Sequence, residues 1–300
     1  MTRSHIPFLV LGAILPASTY GALVSTWTAP QDAGSLGDAG AASVLLAGDP
    51  AVGAPLNFTS SVSSGTNYTD VIVLSGAQQS QLASAGLGVT LGLDNVRGAT
   101  RKLVGASFES LGNLGSGANV SARDATIDLF LSPDNLNDVS QLIFETGGNG
   151  AGSSLNMNGS IMTFASATNA ATAVNTTVDL TSIYGGAPDT DNMLQVRLAF
   201  DLGNDLISLS AYNLATGLRV TNSTAFAGND WAGGDGNGFF NVNGTTGGSA
   251  NNNVPANYSN FDGQFGGLKF YTNEVLEPIP EPSSLLLLGL GACSLLRRRR

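Results

Sequence analysis

The sequence predicts an all-β protein, built as a two-layer sandwich or jelly roll. Three observations carry that expectation. Apolar and polar residues alternate with a period of two in several segments, tight-turn residues separate those segments every 8 to 12 positions, and no segment sustains a 3.6-residue period. With 39 glycines and only 11% charged residues, the composition suits strands joined by close turns.

In chain order, Ala125 to Leu131 and Val139 to Thr146 read as strands around the turn Ser132-Pro133-Asp134-Asn135. Ser153 to Met157 and Ser160 to Ala165 flank Asn158-Gly159, a dipeptide whose tolerance of positive φ makes it a strong hairpin signal. Val174 to Leu180 is a further strand. Leu194, Val196, Leu198 and Phe200 interleave with Gln195, Arg197, Ala199 and Asp201. That strand turns through Gly203-Asn204-Asp205 into Leu206 to Tyr212. Gly238 to Val242 and Gly263 to Tyr271 complete the set. Residues 23 to 100 read as opening strands of the same sandwich plus long loops, because composition does not shift at any linker.

The order of several pieces is informative. Thr126-Ile127-Asp128-Leu129-Phe130-Leu131-Ser132-Pro133 is followed by Gln141-Leu142-Ile143-Phe144-Glu145-Thr146-Gly147-Gly148, then Gln195-Val196-Arg197-Leu198 and Ile207 to Asn213. The stretch Phe261 to Tyr271 closes the series. Together, over roughly residues 102–273, they resemble the laminin-G-like branch of the concanavalin A-like fold. The resemblance implies a concanavalin A-like jelly-roll sandwich, a lectin-like scaffold.

The two ends have a different character. Arg3 precedes an apolar run from Ile6 to Pro16 and small residues up to Ala22. A cationic start, a short apolar stretch and a small-residue exit describe a secretory signal peptide over residues 1–22. Cleavage is expected after Ala22, with Ala17 as the alternative. At the other end, Pro278, Pro280 and Pro282 exclude a helix or a central strand and predict an extended stalk. An apolar segment from Leu285 to Leu296 and the arginines Arg297 to Arg300 follow. The apolar segment has 12 residues. As a helix it covers about 18 Å, against a hydrocarbon core near 30 Å. Arginines at the extreme C-terminus would stay on the cytoplasmic side.

The motif Pro280-Glu281-Pro282, the short leucine-rich helix and the terminal arginines come in the order of the PEP-CTERM sorting signal, which residues 280–300 resemble. That resemblance implies an exosortase-type, membrane-embedded protease as partner, with Pro280, Glu281 and Pro282 as the recognition motif. It also implies a Gram-negative bacterium that builds an extracellular polymer matrix. A plain tail anchor on a proline stalk is the alternative. The domain plan is then 1–22 signal peptide, 23–276 sandwich and 277–300 sorting tail.

Composition removes whole classes of chemistry from the body. The one histidine is His5 and the one cysteine is Cys293, both in the ends. Disulfides, thiol nucleophiles, Ser-His-Asp triads and the usual zinc sites are therefore excluded there. Five of the 12 basic residues lie in the ends, so the body is more acidic than the net charge of −10. A phosphate backbone would be repelled, and no nucleic-acid partner is expected. Glycoside hydrolysis needs two carboxyl groups about 5 to 9.5 Å apart. None of Glu109, Glu145, Glu274 and Glu277 has a second acid at the Glu-x-Asp spacing of the β-glucanases that share this fold, so no catalytic residue is expected.

Two loops remain. Asn229 to Gly238 contains Trp231 among glycines, with Asp230, Asp235 and Asn237 as oxygen donors that could hold Ca²⁺. No glutamate closes the loop in the EF-hand manner, and the indole packed inward is the favoured reading over a sugar platform. Asp189-Thr190-Asp191-Asn192 is a second candidate Ca²⁺ loop, with a solvated turn as the simpler reading. Eight Asn-x-Ser/Thr sequons, among them Asn158 and Asn222, read as accidents of an Asn/Thr-rich chain. The functional expectation is a non-enzymatic envelope or matrix protein that binds polysaccharide and needs no cofactor, with Ca²⁺ at the aspartate loops as the open alternative. A purely structural coat component and a divergent polysaccharide-active enzyme are the alternatives.

Overall fold

The computed structural model describes residues 22–28, 37–38, 44–48, 56–60, 70–94, 101–103, 124–137, 140–148, 151–167, 173–185, 188, 191–228, 237–239 and 259–276. Eighteen strands lie among them. They are β1 (Ala22–Thr28), β2 (Gly37–Asp38), β3 (Val44–Gly48), β4 (Leu56–Ser60), β5 (Asp70–Val73), β6 (Leu91–Asp94) and β7 (Arg101–Leu103). Then come β8 (Ala125–Pro133), β9 (Gln141–Gly148), β10 (Ala151–Asn158), β11 (Ile161–Ala167), β12 (Val174–Asp179) and β13 (Leu194–Asp201). The last are β14 (Leu206–Asn213), β15 (Arg219–Ala225), β16 (Asn237–Phe239), β17 (Ser259–Asn260) and β18 (Gly263–Thr272). Helix α1 spans Gly76–Ser84 and the short α2 spans Thr181–Tyr184. The remainder of the expected signal peptide, residues 1–21, and the sorting tail 277–300 lie outside the described residues.

The strands form two sheets. Sheet A runs β15-β14-β13-β8-β18. The free side of β18 is then shared by β6, at Phe265, and by β1, from Leu268 to Thr272. Strands β5 and β2 continue the sheet from β6. Sheet B runs β12-β11-β10-β9, beyond which β16, β7, β4 and β3 follow. Every described pairing is antiparallel except that of β17 with β9. On one flank β3 reaches across to β1. On the other, the Asn222 amide donates to the Thr177 carbonyl at 3.0 Å, stitching β15 to β12. The protein is an all-β sandwich, as the sequence predicts.

The apolar face of each sheet turns inward. Ile127, Leu129, Val196, Leu198, Phe200 and Phe270 from sheet A meet Leu155, Met157, Phe164 and Val178 from sheet B, all buried. The Phe164 and Phe200 rings meet edge to face with centroids 5.1 Å apart, so the sheets are in direct contact. The strands read from the sequence over 125–131, 153–157, 174–180, 194–201, 206–212 and 263–271 are present, whereas Val139 and residues 240–242 of two others lie outside the described residues.

Two expectations need correction. Strands β8 and β9 flank one connection but do not pair: β8 extends through Pro133 opposite Gly263 in sheet A, whereas β9 opens sheet B. The chain crosses between layers there. The second correction is α1, which no 3.6-residue period announces. Its signal is local. The Ser75 hydroxyl accepts from the Gln78 amide at 3.3 Å, and the Gln78 side chain accepts from the Ser75 amide at 2.9 Å, a capping box.

Helix α1 lies on the outer face of sheet A. Leu74, Leu82, Leu87 and Val89 pack against Phe130 and Met193 in a second small core. The Gln81 side chain fixes the helix to the strand entry, donating to the Asp191 carbonyl at 2.9 Å and accepting from the Met193 amide at 2.8 Å. The β10–β11 hairpin turns on Gly159 and Ser160, since Asn158 pairs with Ile161. Gly159 alone of the two has positive φ, +60°. Positive φ at only the first central position is the type II′ pattern, so Gly159 rather than Asn158 makes the turn.

Leu82→Ala should cost about 2 to 5 kcal/mol in urea unfolding, because it empties the centre of the second core. Ser75→Ala should cost about 1 kcal/mol by uncapping the same helix. If Leu82→Ala is as mild as Ser75→Ala, α1 is not packed on sheet A as described.

Candidate functional site

Charged residues stand in the middle of three apolar strands of sheet A: Asp128 in β8, Arg197 in β13, which also ends on Asp201, and Lys269 in β18. Strand neighbours point to opposite faces, so these three side chains stand on the outer face while Ile127, Leu129, Val196, Leu198, Leu268 and Phe270 fill the core. The register aligns them. Thr221, Ser210, Arg197, Asp128, Lys269 and Thr26 are successive cross-strand partners and form one polar row across sheet A.

The centre of the row is tightly bonded. Arg197 Nε donates to Asp128 Oδ1 at 2.7 Å and Nη2 donates to Oδ2 at 2.8 Å. Gln195 Nε2 also donates to Oδ2, at 2.8 Å. The side chains are 11% and 1% exposed for Arg197 and Asp128, so the pair is held almost out of water. Both carboxylate oxygens are engaged, which makes Asp128 a positioning group in this arrangement. Ser210 Oγ and Thr221 Oγ1 lie 3.0 Å apart at the next step along the row.

Lys269 is half-buried under α1. Its ammonium donates to the Ala85 carbonyl at the helix C-terminus at 2.7 Å and lies 5.7 Å from the centre of the Phe130 ring. Burial pushes its pKa below the usual lysine value, Asp128 partly offsets this, and Arg197 adds to the lowering. Tyr271, two residues on along the same face, has its phenol pushed up to about 12. Burial is the main cause, Asp128 and Glu274 reinforce it, and Arg197 opposes it. On the far side Tyr212 pairs with Arg219, both partly exposed. The face therefore carries a closed, mostly buried polar network in its centre and a tyrosine ring on either side.

The residues singled out in the sequence are placed less completely. Asp191 is exposed just before β13, and its carbonyl is the acceptor for Gln81. Asp189, Asp230, Trp231 and Asp235 lie outside the described residues, as do Pro280, Glu281 and Pro282. Asn237 opens β16 opposite Thr146. Among the described residues no group of three or more His, Cys, Asp or Glu is placed to hold a metal ion. The Asp128 row was not singled out by sequence reasoning. Its signal is a charge in the middle of each of three apolar strands, since such residues are seldom buried unless paired.

A sequence model of the PEP-CTERM protein-sorting motif matches residues 278–300. No curated protein matches the chain. Among solved structures, the Ruminococcus gnavus IT-sialidase CBM40 bound to alpha2,3 sialyllactose is similar at 14% identity, over 62% of this chain and 91% of its own, with TM-score 0.41. The botulinum neurotoxin serotype D binding domain is similar at 9% identity, over 85% of this chain and 48% of its own, with TM-score 0.42. The serotype D/C VPI 5993 binding domain is similar at 12% identity, over 52% and 34%, with TM-score 0.34. The chain thus spans a third to a half of the neurotoxin domains it matches. Among the described residues no helix is long and apolar enough to cross a membrane.

Arg197→Met should cost about 3 to 5 kcal/mol, because it strands the Asp128 carboxylate in the sheet. Adding Asp128→Leu to that variant should restore much of the loss in the same urea melt. Tyr271 supplies a pH test. Its folded pKa of about 12 lies above the ordinary tyrosine value of 10.0, so the folded state holds the proton longer. That contribution is complete below pH 10 and is lost as pH rises towards 12. Tyr271→Phe should flatten the fall in stability across this window. An unchanged fall would mean the phenol is not buried as described.

Proposed function

We propose that the chain is an exported cell-envelope or extracellular-matrix protein whose β-sandwich binds polysaccharide without catalysing a reaction. The observation that carries the export half is the PEP-CTERM protein-sorting motif at residues 278–300. In this reading the chain enters the export path through its signal peptide and sits in the inner membrane by its C-terminal apolar segment. An exosortase-type protease then releases it at the Pro280-Glu281-Pro282 motif.

The binding half rests on the outer face of sheet A. A sugar presents hydroxyl groups around a flat apolar face, and it is held by prepositioned polar side chains beside aromatic rings. Tyr212 and Tyr271 supply the rings, and the exposed Thr221 with the partly exposed Arg219 and Lys269 supplies polar groups beside them. The polysaccharide-binding assignment agrees with the resemblance of residues 102–273 to the concanavalin A-like, laminin-G-like fold, and scaffolds of this kind host unrelated functions. A coat or matrix component without a specific ligand is the second reading. The closed Asp128–Arg197–Gln195 network favours it, since a fully satisfied buried network contributes to architecture with or without a ligand.

Binding to a panel of immobilised glycans separates the two readings. Tyr212→Ala should weaken retention about tenfold, equivalent to about 1.4 kcal/mol, while leaving the urea midpoint nearly unchanged. Retention of no glycan by the parent protein would leave the coat reading. Release of reducing sugar from any retained glycan would overturn the non-enzymatic assignment. For sorting, alanines at Pro280, Glu281 and Pro282 should leave export intact and trap the unprocessed chain in the membrane. Mass spectrometry of the mature C-terminus reads this. Arg300 still present in the wild-type surface fraction would replace processing with a plain tail anchor.

A further inference from the structure

We propose that one pole of the sandwich is the surface turned to the membrane and to the sorting protease while the tail is still attached. That pole is built from Asp124, the turn 202–205 and residues 273–276. The inference rests on the sorting reading above and deepens it.

It follows from where strand pairing sends the chain. Strand β18 ends at Thr272, opposite Ala125 of β8 on one side and Ala22 of β1 on the other. The chain does not leave the sandwich there. The Asn273 amide donates to the Asp124 carbonyl at 2.8 Å. Thr126 Oγ1 donates to the Glu274 carbonyl at 3.1 Å and accepts from the Leu276 amide at 3.0 Å. Asp124 in turn uses Oδ1 to accept from the amides of Leu202, at 2.8 Å, and Gly203, at 3.3 Å. The Phe226 amide donates to the Asp205 carbonyl at 2.7 Å. The start of β8, the β13–β14 turn, the end of β15 and residues 273–276 are thereby bonded into one end of sheet A.

Chain length then sets a limit. Four residues lead from Leu276 to Pro280, and a chain reaches at most about 3.6 Å per residue, so the motif lies within about 14 Å of this pole. Whatever path residues 277–279 take, a protease acting on the motif works against this end of the sandwich. The apolar segment begins at Leu285, within about 30 Å of Leu276 by the same measure. Ala22, the junction expected for signal-peptide cleavage, emerges at the same pole through its pairing with Thr272. Ala22 and the last described residue, Leu276, therefore lie at the same end of sheet A. The opposite pole, with Asn135, Asn137 and Asp262, is the far end of the nine-residue β8, roughly 26 Å away at 3.3 Å per step.

The test keeps the tail on and measures which pole is nearer lipid. A full-length chain carrying Pro280→Ala, Glu281→Ala and Pro282→Ala, with Cys293→Ser, has no native cysteine left. A single cysteine is added at Asn204 or at Asn137, both exposed and at opposite poles, and labelled with a fluorophore. Each chain is bound to phosphatidylcholine–phosphatidylglycerol vesicles that contain a nitroxide-headgroup lipid. The Asn204→Cys label should be quenched several-fold more than the Asn137→Cys label. A flexible Gly/Ser insert of about twelve residues after Leu276 should bring the two towards equality. Equal quenching without the insert, or stronger quenching at position 137, overturns the proposal. Failure of the full chain to sediment with the vesicles would instead sink the sorting-tail reading, and this inference with it. Thermal melts matching the parent protein show that neither label has disturbed the fold.

Discussion

The placement of β18 is the constraint on which the rest of the structure depends. It is the last described strand in sequence and a central strand in space, flanked by β8 on one side and by β1 and β6 on the other. Without it, the β13–β14–β15 half of sheet A has no described connection to the strands formed by the first hundred residues. Its inward residues Phe265, Leu268 and Phe270 fill the core, and its outward Lys269 and Tyr271 complete the polar face. Loop closure over nearly the whole body has to precede β1–β18 pairing, so the sandwich is a high-contact-order fold that closes late. The sorting motif at residues 278–300 follows this closing strand almost directly, so the last strand to pair and the motif are made together.

The outer face of sheet A shows how burial and charge are reconciled. A carboxylate 1% exposed would be costly alone, yet Arg197 and Gln195 supply it with three hydrogen bonds. The residual cost is visible at Lys269, whose charge is disfavoured by the cover that α1 provides. The Ala85 carbonyl and the Phe130 ring compensate in part, and the same helix hides Phe130 from water. One covering element thus creates both an apolar patch that needs it and a cation that tolerates it. Removing the helix would expose Phe130 and relieve Lys269, two effects of opposite sign.

Much of this was legible in the sequence, and the parts that were not share a cause. The alternation in Leu194 to Asp201 and the turn Gly203-Asn204-Asp205 give the β13–β14 hairpin with its register, because a one-residue slip would turn Leu194, Val196, Leu198 and Phe200 outward. The β10–β11 turn was readable in place but not in register, since Asn158-Gly159 was the expected pair and Gly159-Ser160 forms the turn. The crossing from β8 to β9 was not readable, because Ser132-Pro133-Asp134-Asn135 has the chemistry of a turn whether the next strand pairs in the same sheet or in the opposite one. Helix α1 was missed because its apolar residues are few, and only Ser75 and Gln78 announce it. The Asp128–Arg197–Lys269 row joins residues 69 and more positions apart, and only strand order brings them together.

The absence of cysteine from the body shifts the task of fixing register onto polar pairs. Ser153 and Ser166 share a hydrogen bond of 2.8 Å between β10 and β11, fully buried. Ser210 and Thr221 do the same between β14 and β15, and Asn222 ties β15 to the opposite sheet. Each such pair contributes little energy, roughly 0.2 to 1 kcal/mol, but a slipped β10 or β11 would leave the Ser153 and Ser166 hydroxyls unpaired out of water. The penalty for the wrong register is therefore larger than the gain for the right one. An exported protein built this way needs no oxidant to reach its native state, and a sequence rich in Ser, Thr and Asn becomes the means of specifying the sandwich as well as of covering it.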